Sequence, residues 1–232
     1  MSEKLNYRYE RKFALTELDE AQIRSVLFRN RGMFFEVYPK RYVNNIYLDT
    51  PWLAEYDGNV LGWAERKKVR VRWYHDLLGR VENSLLEFKY KHGLVGRKDQ
   101  YPFPAFDFDT SFTQQGFKAL YKMGDFPPVI REQLGWYLPT MVNRYCRSYF
   151  ATVDEKFRVT IDTEMNFYKV NALRNQFKVR DIDSKMIVVE MKYDREFEPL
   201  AERISRSFPF RLTRSSKYTN GIERFFEFQT GV

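Results

Sequence analysis

The sequence of 232 residues predicts an α+β protein built on antiparallel β-strands. Two segments, Lys68–Tyr74 and Leu85–Lys91, alternate charged and apolar side chains with a period of two, as strands with two different faces do. Strand-like segments outnumber helical ones, and strands do not alternate regularly with helices. Together these observations favour an antiparallel sheet, closed into a β-barrel, with flanking helices.

The strands and helices can be placed in chain order from periodicity and turn signals. We expect strands over residues 7–14, 41–49, 68–74, 85–91, 144–150, 156–163, 166–170, 176–180 and 185–193. We expect helices from a Thr16/Asp19 capping signal to near Gly32 and over 111–123, 127–138 and 199–208. A short irregular or helical link through Trp52, Leu53 and Tyr56 leads into the strand at 68–74. A turn at Asn83-Ser84, a basic loop over 92–99 that returns into 101–103, and a final segment opening at Ser215-Ser216 complete the chain.

The composition is that of a folded protein with anionic partners. Hydrophobic residues at 44% and aromatic residues at 18% exclude a disordered chain, and the length predicts one domain over residues 1–232. The net charge of +8 favours nucleic acid, anionic lipid or phosphate compounds. The single cysteine, Cys146, excludes an internal disulfide framework. Because no signal peptide or membrane span is evident, we expect a cytoplasmic protein, which a membrane-protein partner could hold at a membrane surface.

Charged residues recur at every second position in at least five of the predicted strands. Lys68, Arg70 and Arg72 share one face of their strand, and Glu87 and Lys89 share one face of the next. A sheet with one solvated side would account for a single face of this kind. A repeated Arg-x-Arg and Glu-x-Lys pattern is also expected of a barrel whose interior is cationic and holds a polyanion. Periodicity alone leaves both interpretations open.

Arg and Lys side chains that converge from several strands would suit a phosphate chain. Such a chain carries many acceptor oxygens, and arginine can bind two of them at once. Glu10, Glu87 and Glu190 lie among the cations and could hold a hard divalent metal that bridges phosphates. Alternatively, each glutamate only pairs with a neighbouring lysine.

Nine short motifs, in order, resemble the triphosphate tunnel metalloenzyme (CYTH-like) superfamily. Within it they resemble the polyphosphate-polymerase domain of the vacuolar transporter chaperone (VTC) complex and its bacterial relatives. The motifs are YRYERK (7–12), NIYLDT (45–50), VRVRWY (69–74), LEFK (86–89), GRK (96–98), RYCR (144–147), RVTIDT (158–163), VEMK (189–192) and SKYTNG (216–221). Each motif alone is weak evidence for the family, but nine motifs in family order over nearly the whole chain are strong evidence.

The resemblance implies an eight-stranded antiparallel tunnel that transfers the terminal phosphoryl group of ATP to a growing inorganic polyphosphate chain. The implied phosphate-binding residues are Lys12, Arg70, Arg72, Lys89, Lys98, Arg147, Arg158, Lys192 and Lys217. All of these except Lys98 and Lys217 are also implied to be catalytic. For Mn²⁺ or Mg²⁺, the resemblance implies Glu190 as the main ligand, with Glu10 and Glu87 as secondary carboxylates.

One motif departs from the hydrolase and cyclase branches of the superfamily. Those branches begin with Glu-x-Glu-x-Lys, whereas Arg8 stands here in place of the first glutamate. Losing that carboxylate disfavours a two-metal hydrolase and fits the polymerase branch. Two alternatives stay open: a triphosphatase on the same scaffold, and a polyphosphate-binding module without catalytic activity. Binding to nucleic acid is not expected, because no recognised nucleic-acid module is present.

Overall fold

The computed structural model describes residues 8–93, 95–175, 177, 180–183 and 185–227. Its strands are β1 (Arg8–Leu15), β2 (Phe35–Asp49), β3 (Glu65–Tyr74), β4 (Gly79–Val81), β5 (Ser84–His92), β6 (Val95–Phe103), β7 (Phe106–Phe108), β8 (Leu138–Ala151), β9 (Phe157–Lys169), β10 (Arg180–Asp183) and β11 (Ile187–Asp194). Its α-helices are α1 (Glu20–Phe28), α2 (Ala54–Val60), α3 (Gln114–Met123), α4 (Pro128–Gly135), α5 (Glu198–Arg206) and α6 (Lys217–Glu227), and a 3₁₀ turn covers Arg195–Phe197. Within these ranges, no helix combines the length and hydrophobicity that a bilayer span requires.

Nine strands form one antiparallel sheet. Eight of them follow the order β1-β11-β9-β8-β2-β3-β5-β6, and β10 pairs with β9. Strands β4 and β7 form a separate two-stranded ribbon. The predicted strand pair is confirmed, because β3 and β5 are neighbours in which Lys68 pairs with Lys89 and Arg70 with Glu87. The predicted α+β class with an antiparallel sheet is therefore confirmed.

The two edge strands of this sheet, β1 and β6, approach each other. Across the gap, Lys89 Nζ of β5 lies 3.0 Å from Glu10 Oε2 of β1. Thr213 covers part of the free edge of β1: its amide donates to the carbonyl of Lys12 at 2.9 Å, and its hydroxyl accepts from the amide of Ala14 at 2.7 Å. No backbone ladder joins β1 to β6 in the described part of the chain. The structure thus confirms the sheet but not the backbone closure of the predicted barrel.

The apolar faces of the strands pack against the helices. Val69 and Val71 of β3 and Phe88 of β5 are fully buried in one cluster with Phe117 of α3 and Leu134 of α4. A second cluster joins β1, β9 and β11 to α1 and α5. Because side chains alternate along a strand, burying these faces leaves the charged residues on the opposite face of the sheet.

Several predicted boundaries were wrong for local reasons. The predicted loop over 92–99 belongs mostly to β6, whose residues pair with β5 from Ser84 opposite Phe103 to His92 opposite Val95. The helix α1 begins at Glu20, and its N-cap is Asp19 and not Thr16, because the Asp19 carboxylate accepts from the backbone amide of Gln22 at 2.8 Å.

Other segments were predicted with the right type but different limits. Strand β2 begins six residues before the predicted start, and β9 is one strand where two were predicted, over 156–163 and 166–170. The final segment after Ser216 is a helix, α6. Of the predicted strand over 176–180, only residues 177 and 180 lie inside the described residues.

Candidate functional site

The sheet face opposite α1, α3, α4 and α5 carries a cluster of charged side chains, which we call the cation cluster. Strands β1, β3, β5, β6, β8, β9 and β11 and the first turn of α6 contribute to it. Its cations are Lys12, Lys68, Arg70, Arg72, Lys89, Lys98, Arg147, Lys192 and Lys217, and its carboxylates are Glu10, Glu87, Asp162 and Glu190. Nine cations against four carboxylates leave an excess of positive charge, which attracts anions.

Glu87 holds one part of the cluster together. Its side chain is only 2% exposed, and Arg70 Nε donates to its Oε2 at 2.7 Å. Arg72 Nη1 lies 3.8 Å from the same oxygen, while Lys98 Nζ lies 3.4 Å from Oε1 and Gln100 Nε2 donates to Oε1 at 2.6 Å. Burial acts to raise the pKa of Glu87, but Arg70, Arg72 and Lys98 outweigh it and keep the pKa below its usual value. The carboxylate is therefore ionised and fixes the two arginines.

Asp162 holds a second part. It is fully buried, and Arg147 binds both of its oxygens, with Nε–Oδ1 at 2.5 Å and Nη2–Oδ2 at 2.7 Å. Lys217 Nζ lies 2.6 Å from Oδ2. The ring of Tyr145 lies beside both cations, 5.1 Å from Arg147 Cζ and 4.8 Å from Lys217 Nζ. Burial acts to raise the pKa of Tyr145, but Arg147 and Arg72 lower it overall.

Glu10 and Glu190 form the third part, on neighbouring strands. Lys12 Nζ lies 2.8 Å from Glu10 Oε1 and 3.2 Å from Glu190 Oε1. Lys192 Nζ lies 3.3 Å from Glu190 Oε2. Burial and the Glu190 carboxylate act to raise the pKa of Glu10, but Lys89, Lys12 and Lys192 outweigh them and hold it at about 2. Burial lowers the pKa of Lys89 to about 8, helped by Lys12 and opposed by Glu10.

Lys68 differs from the other cations of the cluster. Its Nζ donates to Ser216 Oγ at 2.8 Å, and none of the ion pairs found among the described residues involves it. Burial lowers its pKa well below the usual value, and the nearby charges of Lys12, Lys89 and Arg70 act in the same direction. A partly buried cation with other cations nearby is stabilised by an anion, and no carboxylate among the described residues pairs with Lys68.

The structure brings together most of the residues predicted from the sequence. Eight of the nine predicted phosphate-binding residues lie in the cation cluster: Lys12, Arg70, Arg72, Lys89, Lys98, Arg147, Lys192 and Lys217. Arg158 pairs across the strands with Lys192, but its side chain is 58% exposed and lies 3.5 Å from Glu155. Its proposed contact with phosphate therefore stays a prediction.

Four residues of the site were not among the predicted phosphate-binding or metal-binding residues. Lys68 and Tyr145 each lie two positions from a predicted residue on the same strand face, and Asp162 lies four positions from Arg158, so the period of two indicates the face on which each lies. Asn45 gave no signal: it is a fully buried amide on β2 whose Oδ1 accepts from Arg72 Nε at 2.8 Å.

The carboxylates can be tested as ligands for a divalent metal. No three His, Cys, Asp or Glu side chains in the described ranges are grouped closely enough to form a metal site by themselves. Glu87 is engaged by Arg70 and Gln100, whereas Lys12 contacts the other two glutamates. Glu10 and Glu190 direct one oxygen each at the same point, which Lys12 Nζ occupies. Since Mg²⁺ at phosphate sites takes one or two carboxylates and completes its shell with phosphate and water, this pair fits such an ion.

Comparison with known proteins agrees with the predicted resemblance. The VTC domain family matches residues 7–226. The fold is similar to that of a protein from Vibrio parahaemolyticus named a putative adenylate cyclase, with a TM-score of 0.52 and 10% identity over 93% of this chain and 98% of that one. It is also similar to a putative adenylyl cyclase from Hippeastrum, described as having a dominant triphosphatase activity, with a TM-score of 0.53 and 12% identity over 94% and 96% of the two chains.

At these identities the two structures support the fold alone. A search among curated proteins found no match. The family match covers nearly the whole chain and includes every strand that contributes to the cation cluster. The chain therefore belongs to the VTC domain family.

Proposed function

We propose that this protein is an ATP-dependent polyphosphate polymerase, which transfers the terminal phosphoryl group of ATP to a growing polyphosphate chain. The observation that carries the proposal is the cation cluster, with nine Lys and Arg side chains on one face of the sheet against four carboxylates. Membership of the VTC domain family supports it. We also propose that the sheet works as a tunnel, because the contact of Lys89 on β5 with Glu10 on β1 spans the gap between its two edges.

The arrangement suits phosphoryl transfer because the cations are fixed before the substrate binds. Glu87 and Asp162 hold Arg70 and Arg147 in place without neutralising the whole cluster. In phosphoryl transfer, the protein acts mainly by positioning and by stabilising the charge spread over the transferred group. The guanidinium groups would bind oxygens of the phosphate chain in pairs, and the lysines would neutralise the remaining charge.

We propose that Glu190 and Glu10 hold Mn²⁺ or Mg²⁺. When bound, such an ion would supply positive charge that stabilises the negative charge of the phosphate chain. Lys12 contacts both glutamates, so its ammonium group and the metal ion would compete for the same two carboxylates.

A triphosphatase is the second candidate, favoured by the activity described for the Hippeastrum protein. A polyphosphate-binding module without catalytic activity is the third. Incubation with ATP and Mn²⁺, followed by separation of the products by chain length, distinguishes the three. The proposal predicts polyphosphate chains that lengthen with time in the wild type. The Arg72→Ala variant, purified in parallel, controls for a contaminating enzyme and should lose most of this activity.

Release of orthophosphate without chain growth, under conditions in which added polyphosphate stays intact, would contradict the polymerase and favour the triphosphatase. If ATP is left unchanged by a protein that binds tripolyphosphate, the binding module is the better account.

A further inference from the structure

The sheet face that carries the cation cluster continues beyond it toward the start of β2. In the pairing of β2 with β8, Arg41 lies opposite Arg147 and Tyr38 lies opposite Tyr149. Residues directly opposite each other in an antiparallel pair share a face, with Cβ atoms about 5 Å apart. Arg41 therefore lies beside Arg147 on this face. Tyr38 lies further along β2, toward the end of the strand that is remote from Asp49.

Aromatic rings hold the guanidinium group of Arg41. Its Cζ lies 4.2 Å from the centroid of the Tyr74 ring and 5.0 Å from that of the Tyr149 ring. Its Nε donates to the Tyr149 hydroxyl at 3.0 Å. None of the ion pairs found in the described ranges includes Arg41. The guanidinium group is thus fixed in position by cation–π contacts, with no carboxylate of the described residues taking its charge.

Tyr38 completes this end of the face. Its ring meets Tyr149 edge to face, with centroids 5.9 Å apart and an interplanar angle of 86°. Tyr38 is nevertheless 62% exposed. An aromatic ring that is held from below and open above is suited to stacking, and every nucleobase has a flat face that can stack on it.

We infer that Tyr38, Arg41, Tyr74 and Tyr149 form a nucleobase platform, on which the base of a nucleoside triphosphate stacks while its phosphates enter the cation cluster. This inference rests on the proposed use of ATP. At this end aromatic rings hold a guanidinium group that has no ion pair among the described residues, whereas Glu87 and Asp162 bind Arg70 and Arg147 in the cation cluster. Tyr38 supplies the open stacking surface. Arg41, placed between this ring and Arg147, carries the charge nearest to the sugar and the first phosphate.

The test compares two ligands that share a triphosphate and differ in the nucleoside. Equilibrium binding of ATP and of tripolyphosphate is measured by calorimetry for the wild type, Tyr38→Ala, Tyr38→Leu and Tyr38→Phe. Loss of one stacking contact should weaken ATP binding about tenfold in the Ala and Leu variants. Tripolyphosphate binding should change less than about twofold, since no phosphate contact is lost, and Tyr38→Phe should match the wild type because the ring is kept. Trp136→Ala, which removes a 64% exposed ring at the opposite end of the sheet, is the matched control and should change neither affinity.

Unchanged ATP affinity in both Tyr38→Ala and Tyr38→Leu would overturn the platform. Equal weakening of ATP and tripolyphosphate would overturn it as well, because the effect would then lie in the phosphate site or in the fold. If the wild type fails to bind tripolyphosphate, it is the proposed phosphate site that fails. The Leu variant keeps apolar volume, so its affinities decide the test if the Ala variant does not fold.

Discussion

Lys217 at the start of α6 and Arg147 in the middle of β8 bind the same buried carboxylate, that of Asp162. Lys217 Nζ lies 2.6 Å from Oδ2, and Arg147 Nη2 lies 2.7 Å from the same oxygen. One negative charge thus holds two cations that are 70 residues apart in sequence. The protein keeps its cation cluster ordered with few carboxylates, so most of the positive charge remains available to a ligand.

Removing the charge of Asp162 tests this role. In Asp162→Asn, two buried cations lose their shared carboxylate, and we expect the free energy of unfolding to fall by about 3 kcal/mol or more. Urea denaturation at pH 7 measures it. Glu202→Gln, which breaks an exposed pair with Arg206 on α5, is the control and should cost less than about 0.5 kcal/mol. An Asp162→Asn variant as stable as this control would show that the buried pair does not order the cluster.

Substitution of Lys68 should affect stability in the opposite direction to substitution of Asp162. Lys68→Met keeps most of the side-chain volume and removes a charge that lies near Lys12, Lys89 and Arg70 and has no ion pair among the described residues, so we expect the free energy of unfolding to rise by about 1 kcal/mol. The same variant should bind tripolyphosphate more weakly than the wild type does. Lys67→Met is the matched control: Lys67 lies on the other face of β3, with Nζ 3.7 Å from Glu55, and its loss should not affect binding. A destabilised Lys68→Met variant with unchanged tripolyphosphate affinity would refute the assignment of Lys68 to the site.

Acid should weaken the fold through Glu87. Burial acts to raise its pKa, but Arg70, Arg72 and Lys98 lower it below the unfolded value of about 4.3. A carboxylate with a lowered folded pKa contributes stability above its unfolded pKa, and this contribution is lost as the pH falls from that value through the folded pKa. The stability difference between the wild type and Glu87→Gln should therefore be largest at pH 7 and shrink by pH 3. Urea denaturation between pH 7 and pH 3 measures this difference in the free energy of unfolding. A difference that is the same at every pH would contradict the account.

The metal assignment makes a separate prediction for Glu190. In Glu190→Gln, the Mn²⁺ concentration that gives half-maximal activity should rise by about tenfold or more, since losing a ligand should cost at least as much as losing an outer-shell partner. Glu87→Gln is the control, because Glu87 is bound to Arg70 and Gln100: its maximal activity can fall, but its Mn²⁺ titration should match that of the wild type. An unaltered Mn²⁺ titration in Glu190→Gln would remove Glu190 from the metal role.

The strand faces were predictable from sequence because a period of two fixes the direction of each side chain. Lys68, Arg70, Arg72 and Lys89 were predicted on charged faces for this reason, and they lie in the cluster. The pairing of Arg147 with Asp162 could not be predicted, because it depends on the register between β8 and β9, which shifts at an irregularity after Arg144.

Most of strand β6 was predicted as a loop because Gly93 and Gly96 are typical of loops. Gly93 has a φ of +57°, which the tight turn between β5 and β6 requires and which glycine adopts readily. The following residues, including Gly96, pair with β5 as a regular strand. The placement of Lys217 was implied by family resemblance alone, because the position of α6 against the sheet depends on packing between residues far apart in sequence.

The central claim, that the cation cluster binds a condensed phosphate chain, is tested most directly by calorimetric titration of tripolyphosphate. Arg72 is the residue to vary: its Nε donates to Asn45 at 2.8 Å, its Nη2 donates to Tyr145 at 3.3 Å, and Arg70 stays on the Glu87 carboxylate without it. Arg80, an exposed arginine on β4, supplies the control variant Arg80→Ala. We expect the wild type and Arg80→Ala to bind tripolyphosphate with affinity that falls as salt rises, and the folded Arg72→Ala variant to bind it at least about tenfold more weakly. A folded wild-type protein that does not bind tripolyphosphate at low salt would contradict the account.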